Sequence, residues 1–460
     1  MLNLEEIKKV HMLGIGGSGV SALARIFLAM GKNVSGEDAV QSIITTDLAS
    51  IGITVNITDG ENDELPEVDL VVHSQAVPKN NPQIKKAEKK NIPVLTYPET
   101  VGLLTKEKDT ICVCGTHGKT TTTSLTAVCL EEAEKSPTII VGSSLEQLMG
   151  NAKLGEGKLL VLEADEYRRA FINYQAQYII VNNIEFEHPD YYKDLADVKD
   201  AFKEFISNLN EGGIVFANSD DDNIVSILQD CEREIITYGF NKKCDVRAIN
   251  YEIENGNPKF KVKYFDNILG EVKLKIPGKH NVYNALAAIA CSYKLGVSFN
   301  DIARALEEYS GAWRRFEKKV QCKGISFYDD YAHHPTEIKV TLAACKERFP
   351  GRKIIAVFQP HHHSRFTKLY VGFLNAFAKA DELLVMDVYD VKGREKSEEE
   401  NRTSQQFVTE IKKEKVYYTP NHNDVIKKIT AIAKTGDVVI TLGAGDVNTI
   451  ARECFNQMNE

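Results

Sequence analysis

The stretch DTICVCGTHGKTTTTSLTAVCLEEAE, residues 109–134, places an apolar strand, a glycine-containing turn and a helix in immediate succession. The turn ends in Gly118-Lys119-Thr120, as a phosphate-binding loop does, but Val113 stands where a Walker loop has its first glycine. Backbone N–H groups of residues 115–119 can hold phosphate oxygens, Lys119 can reach the terminal phosphates, and the Thr120 hydroxyl is placed for Mg²⁺. The pattern predicts a nucleoside triphosphate site, with ATP as the nucleotide.

The composition is that of a globular protein with several domains. At 460 residues the chain is too long for one ordinary core, and about three domains is the usual expectation. A hydrophobic fraction of 43% and a charged fraction of 26% are typical of soluble globular proteins. The net charge of −9 argues against broad binding to nucleic acid or to membrane surfaces, because both need an excess of Lys and Arg.

Cysteine usage and the apolar pattern predict a cytoplasmic location. The nine cysteines have no regular spacing, and most lie in apolar runs such as ICVC, residues 111–114. Reduced thiols are therefore favoured over a disulfide framework. The N-terminal residues lack the layout of a signal peptide, and no apolar run is long enough to span a bilayer.

Short β-type runs alternate with helical stretches along nearly the whole chain, which predicts α/β domains with largely parallel sheets. Near the N-terminus Gly14, Gly16 and Gly19 match G-x-G-x-x-G between a strand and a helix, and Asp38 follows a second strand. The glycines allow a diphosphate to approach the backbone, and Asp38 can accept a ribose hydroxyl. A nicotinamide or flavin enzyme, and a tight turn without a ligand, both stay open at this point.

Two further strand ends carry residues that bind metals. KLLVLEADEY (158–167) ends a strand with Glu163, and QYIIVNNIEFEHPDYY (177–192) carries His188 after another strand. Taken singly, Glu163 could be the first acid of a helix and His188 a loop histidine bonded to the backbone. Mg²⁺ needs few protein ligands, because waters and phosphate oxygens complete its octahedron. Beside the phosphate loop, the pattern predicts a magnesium site formed by Thr120, Glu163 and His188.

Two histidine-rich loops follow predicted strands in the last third of the chain. FYDDYAHHPTEI (327–338) and AVFQPHHHSRFTK (356–368) hold five histidines, which suggests a transition metal. Arg365 lies among them, and neither loop has Cys or H-E-x-x-H spacing, so a cationic pocket for carboxylate or phosphate is favoured. The turn in DVVITLGAGDV (437–447) could bind phosphate or simply connect two elements.

Taken in order, these stretches resemble the Mur ligases over nearly the whole chain. The matching stretches are GIGGSGVSALA, VSGED, GTHGKTTT, EADEY, NIEFEHPDYY, PGKHNVYNALAA, GAWRRFE, DDYAHHPTEI, FQPH and GAGD. The short loop GTHGKTTT is the family's own variant of a phosphate loop. The resemblance implies an α/β fold with three domains: a Rossmann-like N-terminal domain that binds the UDP-sugar (1–106), a central P-loop-type ATP-binding domain (107–319) and a Rossmann-like C-terminal ligase domain (320–460).

The resemblance is nearest to the branch of the family that joins L-alanine to UDP-N-acetylmuramate in peptidoglycan precursor synthesis. It implies that activity, with ATP as cosubstrate and Mg²⁺ as cofactor, and it removes the nicotinamide interpretation of the first glycine turn. The expected partners are UDP-N-acetylmuramate, L-alanine and ATP, with no nucleic acid and no membrane, in a monomer or homodimer. Two alternatives are a recycling ligase that joins a murein peptide to the same sugar nucleotide, and a nucleotide-dependent binding module without ligase activity.

The resemblance also implies roles for individual residues. Sugar-nucleotide binding falls on Gly14, Gly16, Gly17, Ser18, Gly19 and Asp38. ATP binding falls on Gly115, Thr116, His117, Gly118, Lys119, Thr120, Thr121, His280, Asn281, Arg315 and Asp330. The metal ligands are Thr120, Glu163 and His188. The amino-acid pocket and catalysis fall on Tyr331, His333, His361 and Arg365, with His333 as the expected base for the amine and Lys119 as the residue that neutralises charge on the transferred phosphoryl group.

The chain departs from the family pattern at three places. Glu37 stands where the family usually has Ser, and His362 stands where it usually has Arg. The charged run at 391–402 replaces the usual AAGE and is expected to be a solvated loop. An Arg at position 362 would hold a carboxylate permanently, whereas a neutral His would not, so amino-acid binding is expected to weaken as the pH rises.

Overall fold

The computed structural model describes residues 2–58, 64–389 and 402–459. Apart from Arg402, the charged run at 391–402 lies outside the described residues. The chain folds into two compact units. The first unit comprises residues 1–184, 199–238 and 287–302, and the second comprises residues 185–198, 239–286 and 303–460.

The N-terminal sheet is parallel, with the strand order β3-β2-β1-β4-β5. Its elements are β1 (Lys9–Leu13), α1 (Ser18–Ala29), β2 (Asn33–Asp38), α2 (Ile43–Ser50), β3 (Thr54–Ile57), β4 (Leu70–His73), α3 (Pro82–Lys89), β5 (Val94–Thr96) and α4 (Tyr97–Thr105). Helix α4 begins at a capping box in which Thr96 and Glu99 exchange side-chain-to-backbone hydrogen bonds. The strand order reverses between β1 and β4, and doubly wound sheets bind ligands in the crevice at such a point.

The central sheet of the first unit has the strand order β12-β11-β10-β6-β9-β7-β8 and is parallel except at β8. Its elements are β6 (Asp109–Cys114), α5 (Lys119–Glu132), β7 (Thr138–Leu145), β8 (Gly150–Lys153), β9 (Leu159–Glu163), β10 (Tyr178–Val181), α6 (Leu195–Ser207), β11 (Ile214–Asn218), α7 (Asp222–Ile227) and β12 (Glu234–Gly239). Strand β6 is buried from Thr110 onward, as its apolar sequence predicts. The ends of β9 and β10 therefore flank the phosphate loop that follows β6.

The second unit contains three antiparallel strands, parts of two helices and the C-terminal sheet. The antiparallel strands β13 (Val246–Glu254), β14 (Asn257–Tyr264) and β15 (Asn267–Lys273) precede helices α8 (Lys279–Lys294) and α9 (Phe299–Glu308). The C-terminal sheet has the order β16-β17-β21-β18-β19-β20 and is parallel except at β16. Its elements are β16 (Glu317–Cys322), β17 (Ile325–Asp330), α10 (Pro335–Arg348), β18 (Ile354–Phe358), α11 (His363–Lys368), α12 (Tyr370–Leu374), β19 (Glu382–Val385), α13 (Ser404–Glu410), β20 (Val416–Tyr418), α14 (His422–Ile432), β21 (Val438–Leu442) and α15 (Ile450–Asn459).

The three sheets place the predicted chemistry at the carboxyl ends of strands. Parallel pairing in the N-terminal, central and C-terminal parts confirms the predicted α/β class. The C-terminal sheet is covered on both faces by separate apolar clusters, which include Phe358 on one face and Phe327 on the other. Within the described ranges, no helix is both long enough and apolar enough to cross a membrane.

Candidate active site

The phosphate loop follows β6 and is shaped by the neighbouring strand β10. Gly115 and Gly118 have φ angles of 137° and 76°, which favour glycine. A Cβ on Gly115 would lie 2.9 Å from the Cβ of Asn182, so the loop passes directly over the end of β10. The Asn183 Oδ1 accepts the backbone N–H of His117 at 2.7 Å. The residues that follow β10 therefore hold the loop in its conformation.

Lys119 begins α5, and its ammonium group is surrounded by oxygen atoms. Its Nζ donates to the Gly115 carbonyl at 2.8 Å and to Glu166 Oε2 at 2.7 Å. Burial alone would lower the pKa of Lys119, but the carboxylates of Glu166 and Asp165 outweigh burial and raise that pKa above its ordinary value. Lys119 is therefore charged at neutral pH, as contact with phosphate requires.

Thr120 and Glu163 offer two oxygen ligands to one cation. The Thr120 hydroxyl donates to Glu163 Oε1 at 3.0 Å, and Glu163 Oε2 accepts the N–H of Gly142 at 2.6 Å. Adjacent ligands of an octahedral Mg²⁺, each at about 2.1 Å, lie about 3 Å apart, so these two oxygens fit that ion. The structure thus brings two predicted ligands together. His188, the third, belongs to the second unit, where it has a φ of 54°.

The glycine turn after β1 has the predicted backbone. Gly14 has a φ of 73°, and a Cβ on Gly16 would lie 2.8 Å from Asp38 Oδ2. The Asp38 carboxylate accepts a hydrogen bond from the Gly16 N–H at 2.8 Å and thereby stabilises the backbone of the turn. Its predicted contact with a ribose hydroxyl stays a prediction.

The first turn of helix α1 is fixed from two sides within the first unit. Asn151 on β8 donates from Nδ2 to the Ser18 carbonyl at 2.7 Å and to the Ser21 hydroxyl at 3.1 Å. The Tyr97 ring packs so closely on Gly19 that a Cβ there would lie 2.8 Å from the ring. The N–H groups at this helix start are thereby held in place for an anionic ligand.

In the second unit, the four residues predicted for the amino-acid pocket lie together. The Arg365 Nη1 lies 3.4 Å from His361 Nδ1, and the ring centroids of His361 and His333 are 6.4 Å apart. The rings of His333 and Tyr331 meet edge to face at 5.2 Å. Arg365 is buried, and its Nε donates to Glu187 Oε1 at 2.8 Å.

Glu187 neutralises the charge of this pocket. Burial would raise the pKa of the Glu187 carboxyl, but Arg365 and then the neighbouring histidines outweigh burial and hold it well below its usual range. Glu187 is therefore ionised, and one N–H of Arg365 is already occupied. An amino-acid carboxylate would have to use the other side of the guanidinium group.

His333 is neutral and oriented. Burial, the largest effect, lowers its pKa to about 4, although Glu337 acts in the opposite direction. Its Nδ1 lies 2.9 Å from the Tyr331 carbonyl, which can only accept, so Nδ1 carries the proton. The Nε2 atom then has a lone pair, as a base for an amine needs.

His362, where the family usually has Arg, is buried and has a local partner. Its φ is 69°, in the region that favours glycine, and its Nδ1 lies 2.8 Å from the Ser364 hydroxyl. Its backbone N–H donates to the Tyr389 carbonyl at 3.0 Å. Whether His362 meets the amino acid stays a prediction.

Arg315 and Asp330 are both predicted for the nucleotide; Arg315 precedes β16, and Asp330 is the last residue of β17. Asp330 accepts the backbone N–H groups of Ala332 and Phe316, each at 2.8 Å. Burial raises the pKa of Asp330 to about 6, although Arg315 acts against it. The carboxylate is therefore mostly ionised at neutral pH and anchors the backbone between Arg315 and the histidine loop.

His280 and Asn281 lie at the start of α8. Burial lowers the pKa of His280 to about 4, so its ring is neutral. The Asn281 Nδ2 donates to the Pro277 carbonyl at 2.7 Å, and its Oδ1 accepts from Asn284 at 3.0 Å. These bonds fix the amide that is predicted to bind adenine.

Known protein families match the chain in three successive parts. Residues 9–109 match the Mur ligase family catalytic domain, residues 113–292 the Mur ligase middle domain, and residues 314–445 the Mur ligase glutamate ligase domain. The chain belongs to the Mur ligase family.

Relatives of this Mur ligase align over almost their full length. It is 39% identical over 457 residues, 99% of each chain, to a UDP-N-acetylmuramate–L-alanine ligase of Sulfurihydrogenibium sp.. It is 38% identical, again over 99% of each chain, to the ligase of the same name from Aquifex aeolicus. The crystal structure of the UDP-N-acetylmuramate–alanine ligase from Thermotoga maritima superposes with a TM-score of 0.83, at 30% identity over 99% of each chain. These matches confirm the predicted family and its three-domain fold.

A murein peptide ligase from Psychrobacter arcticus shares the fold. Its TM-score is 0.73, at 23% identity over 98% of this chain and 99% of that one. At that identity the likeness extends to the fold alone, so the recycling alternative has the weaker support.

Sequence reasoning missed several residues that hold this Mur ligase site. They are Asn183 and Glu166 beside the phosphate loop, Glu187 beside Arg365, and Arg314. Arg314 is buried and donates to Asp329 Oδ2 at 2.8 Å, to the Gly443 carbonyl at 2.6 Å and to the Gly445 carbonyl at 3.0 Å. It therefore fixes the GAGD turn, whose role the sequence left open. Polar residues directly after the buried strand β10 were the available signal for Asn183.

Proposed function

We propose that this Mur ligase joins L-alanine to the lactyl carboxylate of UDP-N-acetylmuramate, with conversion of ATP to ADP and phosphate. The observation that carries the proposal is full-length alignment with relatives of that name, at 38–39% identity over 99% of each chain. The charged Lys119 beside an oxygen pair suited to Mg²⁺ supports it independently. The reaction would supply a cytoplasmic step of peptidoglycan precursor synthesis.

The first step forms an acyl phosphate. A lactyl carboxylate oxygen attacks the γ-phosphorus of ATP in line, and the bond to the β–γ bridging oxygen breaks, which releases ADP. Lys119 stabilises the negative charge on the transferred oxygens, and exchanges its contact with Glu166 for one with phosphate. Thr120 and Glu163 would hold Mg²⁺, which when bound supplies further neutralisation of the phosphates; His188 stays the predicted third ligand.

The second step forms the amide. The amine of L-alanine attacks the acyl carbon, a tetrahedral intermediate forms, and inorganic phosphate leaves. The amine must lose its protons, and the neutral His333 can accept one at Nε2. Arg365 and His361 would bind the amino-acid carboxylate, with Tyr331 beside them. Arg365 would share its charge between Glu187 and the substrate.

The sugar nucleotide is proposed to bind at the crevice between β1 and β4. The turn at Gly14, Gly16, Gly17 and Gly19 and the first N–H groups of α1, from Ser18 on, would hold the diphosphate. Adenine is proposed to lie against His280 and Asn281, with Arg315 and Asp330 toward the ribose and phosphates. Because the substrates are cytosolic nucleotides, we place the enzyme in the cytoplasm, as a monomer or homodimer.

Phosphate release tests this function. UDP-N-acetylmuramate, ATP and Mg²⁺ are held constant while L-alanine, glycine, L-serine and a murein tripeptide are compared. We expect release with L-alanine well above the others. Preference for the tripeptide would establish the recycling ligase instead, and release with none would favour a binding module without ligase activity.

A further inference from the structure

Two adjacent arginines after the EADEY segment have an unusual backbone. Arg168 has φ 51° and ψ 28°, and Arg169 has φ 55° and ψ 32°, and together they form a kink in the segment Tyr167–Asn173. Side chains with a Cβ are disfavoured in this left-handed region, so two such residues in succession cost free energy. Strain of this kind persists where the surrounding structure imposes it, and it is concentrated at functional sites.

The guanidinium groups of the two arginines bind different partners. Arg169 pairs with Glu204 on helix α6. Arg168 is exposed, lies 5.4 Å from the centroid of the Tyr167 ring, and donates from Nη1 to the Gln75 carbonyl at 3.0 Å. Across the described ranges the other N–H groups of Arg168 have no protein acceptor. It is therefore a cation with donors to spare.

Gln75 lies in the loop after β4, which forms one wall of the crevice in the N-terminal sheet. A Cβ added to Gly14 would lie 3.0 Å from the Cβ of Ser74 and 3.5 Å from Cγ2 of Val77, so this loop packs directly on the glycine turn after β1. Arg168 thus reaches the crevice from the same segment that carries Glu163 and Glu166. Glu166 of that segment contacts Lys119, so one short segment touches both the crevice wall and the phosphate loop.

We propose that Arg168 binds the negatively charged part of the sugar nucleotide, either its diphosphate or its lactyl carboxylate. The inference rests on the proposed function, because that function requires one substrate to extend from the glycine turn to the γ-phosphate of ATP. The same segment carries the carboxylates of Glu163, Asp165 and Glu166, whose negative charge would repel an anion. A cation with free donors at this place offsets that repulsion and gives the strained turn a purpose.

The test compares Arg168→Ala with Arg169→Ala in the full-length enzyme. The two residues share charge, backbone conformation and neighbourhood, and differ in the partner of the side chain. Binding of UDP-N-acetylmuramate is measured by titration calorimetry, and the KM for each substrate by phosphate release. We expect Arg168→Ala to raise the Kd and KM for UDP-N-acetylmuramate about tenfold, with the KM for ATP unchanged. Arg169→Ala should leave all of these unchanged.

Two further variants separate binding from folding. Arg168→Gly removes the side chain but suits the left-handed backbone, so its unfolding temperature should be no lower than that of the wild type while the Kd still rises. Arg168→Lys should recover part of the affinity. Inhibition by UDP locates the contact: weaker inhibition of Arg168→Ala assigns it to the diphosphate, and unchanged inhibition with a raised KM assigns it to the lactyl carboxylate.

The role of Arg168 and the proposed function can fail separately, and different results would show each failure. An unchanged Kd for UDP-N-acetylmuramate in Arg168→Ala would overturn the inference even if L-alanine is ligated at the wild-type rate. Failure of the wild-type protein to ligate L-alanine would overturn the proposed function, while the calorimetric comparison would still decide the role of Arg168.

Discussion

The Nζ atom of Lys119 lies 2.7 Å from Oε2 of Glu166, whose side chain is only 2% exposed. Glu166 thus neutralises the lysine that is proposed to bind phosphate. A phosphate group can replace the Glu166 carboxylate in this contact, because it is also negatively charged and the Lys119 side chain can reach it. The pair therefore links the stability of the phosphate loop to the chemistry proposed for it.

Replacement of Lys119 should abolish ligation and destabilise the fold. Lys119→Met removes the positive charge that the transferred phosphoryl group needs, and we expect kcat to fall by at least about 10²–10³-fold. It also leaves Glu166 buried without its ion pair, at a cost of about 3–5 kcal/mol. The double variant Lys119→Met/Glu166→Gln should regain most of that stability without regaining activity. Urea denaturation and phosphate release measure the two effects.

Sugar-nucleotide binding should survive these changes, because the glycine turn after β1 does not include Lys119. Calorimetry should give a Kd for UDP-N-acetylmuramate close to that of the wild type in the double variant. Loss of sugar-nucleotide binding together with activity would mean that the two ligands are assigned to the wrong sheets.

The glycine turn should select UDP-sugar over dinucleotides. A ligand that binds only the folded protein raises its unfolding temperature, by an amount set by ligand concentration and Kd. We expect UDP-N-acetylmuramate to raise that temperature, and NAD or NADP at the same concentration to leave it unchanged. Equal stabilisation by NAD would refute the assignment of this turn.

Acid should destabilise the protein partly through His333. Burial lowers its folded pKa to about 4 from the ordinary 6.5, so the unfolded chain binds more protons between these pH values. The free energy of unfolding therefore rises with pH across that window and levels off above 6.5. Asp330, whose folded pKa is about 6, changes the free energy of unfolding with pH in the opposite direction. This contribution is the same in the wild type and in a variant at position 333.

The comparison is between wild type and His333→Asn, by urea denaturation from pH 4.5 to pH 7.5. The variant should lose less stability on acidification, because Asn does not titrate. The Asn Nδ2 takes the place of the His333 Nδ1 and can donate to the Tyr331 carbonyl, so the local structure has a substitute bond. Parallel stability curves would show that the ring of His333 is protonated as readily in the folded protein as in the unfolded one.

The sequence predicted the parts of the site that are formed by residues adjacent in the chain. The phosphate loop, Lys119, Thr120 and the glycines after β1 each follow a strand and precede a helix, so adjacent residues define their geometry. Glu187 and Glu166 could not be assigned in this way. Glu166 contacts Lys119 because β9, which precedes Glu166, pairs with β6, which precedes Lys119. Glu187 contacts Arg365 although the two residues are 178 positions apart in the chain. Strand order and long-range contact decide such partners, and neither is visible in a single sequence.

His362 should make amino-acid binding sensitive to pH. If it contacts the L-alanine carboxylate, its contribution is lost as the ring becomes neutral, and KM should rise between about pH 6 and pH 8. His362→Arg should flatten this dependence, because Arg stays charged. Ser364→Ala is the matched control, since it removes the hydroxyl bonded to His362 Nδ1 while keeping the ring. Indistinguishable profiles for wild type and His362→Arg would show that His362 does not meet the substrate.

The central claim is that this protein activates the lactyl carboxylate as an acyl phosphate and then joins it to L-alanine. The most direct test is the reaction of UDP-N-acetylmuramate carrying ¹⁸O in both lactyl carboxylate oxygens with ATP, Mg²⁺ and L-alanine. We expect one ¹⁸O in the phosphate released and the other in the amide carbonyl of UDP-N-acetylmuramoyl-L-alanine, both read by mass spectrometry. Unlabelled phosphate, or labelled substrate recovered without an alanyl product, would contradict the claim.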